Sequence, residues 1–169
     1  MRSDWKVMDL DKDLLSVQEA RNLVKKAKSA QEILSSYDHN QIDRIIRSMA
    51  ETASKNANRL AELAHEETGF GKVEDKRYKN ILASEVLYNY IKDMRTTGII
   101  NEDPERKIIE IAEPVGVIAG IVPSTNPTST VIYKSMISIK SRNSIVFTPH
   151  PSAAGCTLEA ARLMNEAAV

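Results

Sequence analysis

The stretch IAEPVGVIAGIVPSTNPTST, residues 111–130, decides the fold of this 169-residue chain. It joins an apolar run, Val115 to Val122, to a polar turn with two prolines, and helical spacing follows from Thr128 to Lys140. A buried strand, a polar turn and a helix make up half of a βαβ unit, and in open α/β sheets ligands bind beyond the carboxyl ends of such strands. The pattern therefore predicts a ligand crevice at Ser124 to Asn126.

A second strand and turn repeat this plan further along the chain. Ser144 to Phe147 is predicted to be a buried strand, and the turn Thr148-Pro149-His150-Pro151 leads into a helix that opens at Ser152. Parallel strands joined by a right-handed crossover bring their following turns to one edge of the sheet. The turns at 123–127 and 148–151 are therefore expected to converge.

The first 98 residues are predicted to be helical. Apolar residues recur at three- and four-residue spacing in three segments, 14–34, 42–68 and 74–95. Asp38 or Asn40 is suitably placed to cap the second helix. Two glycines follow that helix and supply a natural stop.

After Gly98 the pattern changes to strands and turns. We predict a polar turn at 101–106, a strand at 107–112, and a second strand at 115–122 that is apolar along its length and so expected to be buried on both faces. The chain thus divides into a helical region, 1–98, and a β-α-β-α region, 99–169. Two parallel strands do not make a stable parallel sheet with both faces covered by helices. We therefore expect this chain to be the N-terminal piece of a longer protein, and a complete small domain is the alternative.

Composition excludes several classes of protein. Lys+Arg and Asp+Glu are both 23, so the formal net charge is zero and there is no basic excess to indicate nucleic-acid binding. No apolar run approaches the roughly 20 residues that span a bilayer. The single cysteine and three scattered histidines show no metal-ligand spacing. One cysteine also fits a reducing compartment, which makes the cytoplasm the expected location.

Three segments resemble the aldehyde dehydrogenase superfamily, and in particular its CoA-acylating branch: ETGFGKVEDKRYKN (67–80), EPVGVIAGIVPSTNPTST (113–130) and IKSRNSIVFTPHPSAAG (139–155). That branch includes acetaldehyde and succinate-semialdehyde dehydrogenases and the aldehyde half of bifunctional aldehyde-alcohol dehydrogenases. The resemblance implies an α/β fold in which N-terminal helices precede the first β-α-β-α part of a Rossmann-like domain that binds NAD and CoA.

The resemblance also implies roles for individual residues. Asn126 matches the asparagine whose side-chain amide donates to the oxyanion of a thiohemiacetal, a device whose loss costs about 2.7–4 kcal/mol of barrier. The cofactor site, used by NAD and CoA in succession, would include residues of both turns: Val122, Pro123, Ser124, Thr125, Thr148, Pro149 and His150. The nucleophilic cysteine would lie beyond residue 169, so the isolated chain is expected to be inactive.

The family further implies a small aldehyde as substrate, a homo-oligomer, and in some relatives a bacterial microcompartment. One departure supports the acylating branch. Many non-acylating members carry Lys-Pro-x-Glu at the second turn, which helps to hold the adenosine ribose, whereas this chain has Thr148-Pro149-His150-Pro151. A looser site suits an enzyme that releases NADH before CoA enters.

Several residues admit a plainer interpretation. Cys156 is favoured as a small packing residue over a nucleophile. Asn126 alone could be a turn former, His150 could belong to a rigid surface turn, and the run Glu74 to Arg77 is predicted to be a solvated helix start. The helix at 14–34 is favoured as a packing helix over a targeting segment. For the whole chain, the alternative is a non-enzymatic helical interaction module with a degenerate nucleotide pocket.

Overall fold

A computed structural model describes residues 11–169, so the first ten residues of the predicted helical region lie outside the described part. The helical region contains α1 (Lys12–Ser35), α2 (His39–Lys55), α3 (Ala57–Thr68), α4 (Val73–Ile81), a π-helical turn (Leu82–Val86) and α5 (Leu87–Ile91). The remaining elements are β1 (Gly98–Asp103), β2 (Ile108–Ala112), β3 (Val117–Val122), α6 (Pro127–Lys140), β4 (Ser144–Pro149), a 3₁₀ turn (Pro151–Ala153) and α7 (Ala154–Ala167).

The second predicted helix is two helices, and Asn56 separates them. The backbone leaves the helical region there (φ −97°, ψ 5°), and the Asn56 amide donates to the carbonyl of Thr52 over 2.9 Å. Asparagine competes in this way with the helical ladder, which apolar spacing alone does not reveal. Of the two predicted caps, Asp38 and Asn40, Asp38 is the one that forms: its side chain accepts from Gln41 N, and the Gln41 side chain accepts from Asp38 N. Gly69, with φ 68°, terminates α3.

The third predicted helix ends at Ile91 rather than near residue 95, and it contains the π-helical turn. The hydroxyl of Ser84 donates to the carbonyl of Asn80 over 2.7 Å within that turn. The polar turn predicted at 101–106 is wrong for its first half, because β1 runs through Asp103 and pairs with β2 as an antiparallel hairpin, and the turn itself covers residues 104–107. Cross-strand pairing overrides the turn-like composition of Asn101 to Asp103.

β3 and β4 pair in parallel, as predicted, in register from Val117 opposite Ser144 to Val122 opposite Pro149. β4 therefore extends two residues into the predicted second turn. The expectation that the strand at 115–122 is buried on both faces is wrong: within β3 only Gly120 and Val122 are buried, and Ile121 is 73% exposed. α1, α6 and α7 pack on this two-stranded sheet but leave part of β3 exposed.

Gly120 lies in close contact with β4. A Cβ atom at this position would lie 2.7 Å from Cδ1 of Phe147 and 2.9 Å from Cδ1 of Ile145, closer than real Cβ atoms approach. A larger residue at position 120 would therefore require the side chains of Phe147 and Ile145 to move.

The core lies between α2 and α3 on one side and α6 and α7 on the other. It includes the fully buried Ile42, Ile46, Leu60, Ile132, Met136 and Ala160. α1 lies at the edge of this core, where Leu34 packs against it partly buried, and Gln31 is the only buried residue of the helix. Within residues 11–169, no helix is both long and apolar enough to cross a membrane.

Candidate functional site

The two turns that follow β3 and β4 meet at one edge of the sheet, as the sequence predicts. The link is a hydrogen bond from the backbone N–H of His150 to the carbonyl of Val122, with an N–O distance of 3.0 Å. Val122 is buried, whereas Pro123, Thr125, Thr148 and His150 are exposed. The parallel register of the strands places the turns side by side.

Asn126 occupies the N-terminal end of α6, but its side chain does not cap the helix. Pro127 is the first helical residue and has no N–H to satisfy, a common arrangement at helix starts. The Asn126 carboxamide points instead towards α4, where its Oδ1 accepts from Nζ of Lys79 over 2.8 Å. Its Nδ2 makes only a long contact, 3.4 Å, with the hydroxyl of Thr125. The amide nitrogen therefore retains donor capacity at the sheet edge.

A second lysine of α4 reaches the same turn. Lys76 is 4% exposed, and its Nζ donates to the carbonyl of Thr125 over 3.0 Å. Burial, with a smaller contribution from the nearby charge of Lys79, lowers the pKa of Lys76. The prediction of a solvated helix start at 74–77 is therefore wrong for Lys76, which sits inside the contact between α4 and the turn.

Asn80 completes the contact between α4 and the site. It is fully buried, its Nδ2 donates to the carbonyl of Ala57 over 2.9 Å, and its Oδ1 accepts from the hydroxyl of Thr128 at the same distance. Sequence reasoning assigned no role to Lys76, Lys79 or Asn80. Their i, i+3, i+4 spacing was the available signal, because it places all three on one face of a helix.

The second turn is held by its own side chains. Nδ1 of His150 lies 2.8 Å from Oγ of Ser152 and accepts from the Ser152 N–H over 3.2 Å, which caps the short 3₁₀ turn. The other imidazole nitrogen is not used in this cap. Thr148 and His150 thus present polar groups beside the first turn.

Glu67 occupies the N-terminus of α7. Its carboxylate accepts from the N–H of Gly155 over 2.8 Å and from the N–H of Cys156 over 2.6 Å. Burial alone would raise the pKa of Glu67, but hydrogen bonds from Cys156 and Gly155 outweigh it and lower that pKa. An anionic ligand would have to displace this carboxylate to use these helix amides.

Cys156 is buried beneath this cap. Burial, followed by its hydrogen bond with Glu67, raises the pKa of the thiol to about 12. A thiol of that pKa stays protonated near neutrality, whereas the thiolate is the nucleophile. Packing is thus the role that the surroundings of Cys156 support. Among the described residues, no group of three or more histidine, cysteine or acidic side chains is arranged to hold a metal ion.

Comparison with known proteins covers nearly the whole described chain. Residues 12–169 match the aldehyde dehydrogenase family. The bifunctional aldehyde-alcohol dehydrogenase AdhE of Escherichia coli (strain K12) is 47% identical over 154 residues, which are 91% of this chain and 17% of that protein. The chain therefore spans about a sixth of this curated relative.

Two solved structures share the fold. An acetylating aldehyde dehydrogenase from Geobacillus thermoglucosidasius is 59% identical with a TM-score of 0.89, over 94% of this chain and 35% of that one. A propionaldehyde dehydrogenase from the fucose utilisation microcompartment of Clostridium phytofermentans is 31% identical with a TM-score of 0.74, over 87% of this chain and 33% of that one. The α/β fold class predicted from the sequence is confirmed.

Proposed function

The chain belongs to the aldehyde dehydrogenase family, and from that premise we propose that it forms the first part of an NAD-dependent, CoA-acylating aldehyde dehydrogenase. The reaction converts an aldehyde, CoA and NAD to an acyl-CoA and NADH through a cysteine thioester. Similarity to an acetylating enzyme at 59% identity supports the acylating branch, and membership of the family favours an enzyme over a non-enzymatic helical module.

The observation that carries the proposal is the state of the Asn126 carboxamide. Its oxygen is bound by Lys79, it does not cap α6, and its NH₂ group has a donor hydrogen to spare. Attack of a thiolate on an aldehyde places negative charge on the former carbonyl oxygen. A preorganised N–H donor at that position stabilises the charge more in the transition state than in the ground state.

The thiolate itself comes from a cysteine of the full-length protein, because Cys156 is buried and protonated. NAD supplies the hydride acceptor and the CoA thiol supplies the acyl acceptor. Forming and then cleaving a covalent thioester splits one difficult step into two easier ones.

We assign cofactor binding to the two turns at this edge of the sheet. Ser124 and Thr125 on one side and Thr148, Pro149 and His150 on the other would hold NAD and then CoA beside Val122 and Pro123. The exposed polar groups of Thr125, Thr148 and His150 fit a nucleotide. The N-terminus of α7 does not fit a phosphate, since Glu67 fills it.

Assembly and location are part of the proposal. A homo-oligomer is supported by the apolar side chains that β1 and β2 leave exposed: Ile99, Ile100, Ile108, Ile109 and Ile111. We propose a cytoplasmic enzyme, and the relative from a microcompartment makes that compartment a further candidate. Light scattering of the full-length protein and fractionation of its host cells test these points.

The activity is tested by following NADH formation from small aldehydes in the full-length protein, with and without CoA. The proposal expects turnover that depends on CoA, with acyl-CoA as the product. Equal steady-state rates without CoA would reject the acylating assignment.

Asn126→Ala tests the site. Removing one oxyanion donor is expected to lower kcat by about 100- to 1,000-fold. Asn58→Ala is the matched control, because the Asn58 amide is exposed and bonds only to Glu62 on α3. An Asn126→Ala enzyme with unchanged kcat would remove the oxyanion role.

A further inference from the structure

We propose that Lys79 is a positioning residue that orients the Asn126 carboxamide for oxyanion binding, an inference that rests on the proposed function. The Nζ of Lys79 lies 2.8 Å from Oδ1 of Asn126, although the two residues are 47 positions apart in sequence. The side chain reaches from α4 to the first turn of α6. Nothing in the local sequence of either element requires this contact.

The chemistry of the two groups determines which way the amide faces. A carboxamide has a donor end and an acceptor end of nearly equal size, and either could face a neighbour. An ammonium group has three donors and no acceptor, so it binds only the oxygen. Lys79 thereby directs the NH₂ group of Asn126 away from α4, where it can donate to a developing oxyanion.

The charge of Lys79 also acts through the amide. Within residues 11–169, Lys79 takes part in no salt bridge, so no carboxylate partner neutralises it. A cation bonded to an amide oxygen withdraws electron density from the nitrogen, and hydrogen bonds in a chain strengthen one another. The N–H of Asn126 becomes a better donor at the moment when negative charge appears.

The surrounding contacts keep this pair in place. Lys76 holds the carbonyl of Thr125, and Asn80 holds the hydroxyl of Thr128. Three side chains from one face of α4 therefore bind three residues around the start of α6. Lys76 and Asn80 are buried and support the backbone, whereas Lys79 is exposed and contacts the one side chain that would touch the reacting atoms.

The test uses the full-length enzyme and the variant Lys79→Met, which keeps the unbranched side chain to Cε and removes the ammonium group with its charge. We expect kcat to fall about tenfold, a change of about 1.4 kcal/mol in barrier, with the KM values for NAD and CoA nearly unchanged. Lys79→Arg, which keeps a cationic donor, should recover most of kcat. Arg77→Met is the matched control, because Arg77 is exposed on the same helix and contacts Tyr78.

A double-mutant cycle with Asn126→Ala decides whether Lys79 acts through Asn126. If it does, Lys79→Met costs little further activity once the carboxamide is gone. An equal loss in both backgrounds, or an equal loss for Arg77→Met, would overturn the inference. So would full activity of Lys79→Met in an enzyme that Asn126→Ala impairs, and in that case the proposed function would stand. Full activity of Asn126→Ala would overturn both this inference and the oxyanion role of Asn126, whereas the acylating assignment is decided by whether turnover depends on CoA. A thermal melt of each variant checks that the fold is retained.

Discussion

α1 and α2 have the same kind of sequence pattern, but they differ in how much of it the structure buries. Both carry apolar residues at three- and four-residue spacing, and both are helices. α2 buries Ile42, Ile46, Met49, Ala50 and Ala53 in the core, whereas α1 buries Gln31 alone. Gln31 and Arg142 hold α1 through polar contacts, from Gln31 to the Arg142 carbonyl and from Arg142 to the Tyr37 carbonyl.

This difference separates two kinds of information in an amphipathic pattern. The spacing predicts that a segment is helical, but it does not say which surface will cover the apolar face. The apolar face of α2 packs against α6 and α7 within this chain. In α1, by contrast, Leu23, Val24 and Ile33 are about half exposed or more. Stability should therefore depend on α2 and its neighbours far more than on α1.

The largest expected effect comes from the same substitution made in both helices. Ile46→Ala should lower the free energy of unfolding by about 2–5 kcal/mol, because it opens a cavity at a fully buried site. Ile33→Ala should change it by less than about 0.5 kcal/mol, since the side chain is 60% exposed and alanine favours helices. Urea unfolding followed by circular dichroism measures both. A comparable loss for Ile33→Ala would mean that the apolar face of α1 is covered in solution.

A smaller effect is expected from two asparagines on the helix that continues through the π turn. Asn80→Ala should destabilise the chain by about 1–3 kcal/mol, because it removes a buried hydrogen bond to the Ala57 carbonyl and takes away the partner of the buried Thr128 hydroxyl. Asn89→Ala removes an exposed bond to the Glu85 carbonyl and should cost little. Thermal melting compares the two variants. Equal shifts in Tm would show that burial of the Asn80 hydrogen bonds does not determine the loss of stability.

The helix starts offer a third comparison. Asp38 caps α2 in a capping box, whereas Asp11 at the start of α1 makes no side-chain capping bond. Asp38→Ala should therefore cost about 1 kcal/mol. Asp11→Ala should be close to neutral in the same urea titration. Loss of stability in Asp11→Ala would reveal a cap that forms in solution.

The smallest expected effect is a pH dependence of the folding stability that arises from Lys76. Burial lowers the pKa of Lys76 in the folded chain below its ordinary value of 10.5. At a pH between the folded-state pKa and 10.5, the unfolded chain binds more protons than the folded chain does. Raising the pH through this range therefore stabilises the folded state. The wild type should gain stability relative to Lys76→Met as the pH approaches 10.5, and this gain should be lost as the pH falls through the folded-state pKa. A difference that stays constant with pH would contradict the shift.

Much of the framework can be predicted from the sequence because its signals are local. The spacing in α6, the apolar runs of β3 and β4 and the turns between them predict a parallel pair with converging turns, and the structure has this pair. The cap at Asp38 and the stop at Gly69 depend equally on neighbouring residues.

What could not be predicted depends on contacts between distant segments. The β1 strand forms through pairing with β2, although its last residues look like a turn. The carboxylate of Glu67 reaches Gly155 across 88 positions, and Lys79 reaches Asn126 across 47. Periodicity reports which residues share a face, not which distant backbone that face will meet. The roles of Asn126 and of the cofactor turns stay predictions.

The contact between Gly120 and Phe147 has a consequence for how this sequence can change. Gly69 has open space around it and is favoured by its backbone angle, φ +68°, so a change in a neighbouring side chain would not relieve the strain of a substitution there. At Gly120 the obstacles are side chains of the neighbouring strand, first the Phe147 ring and then the end of the Ile145 side chain, which is flexible enough to move. A smaller residue at 147 could make room for alanine at 120, so the two positions should show compensation: each substitution alone is harmful, and the pair is better tolerated than their sum.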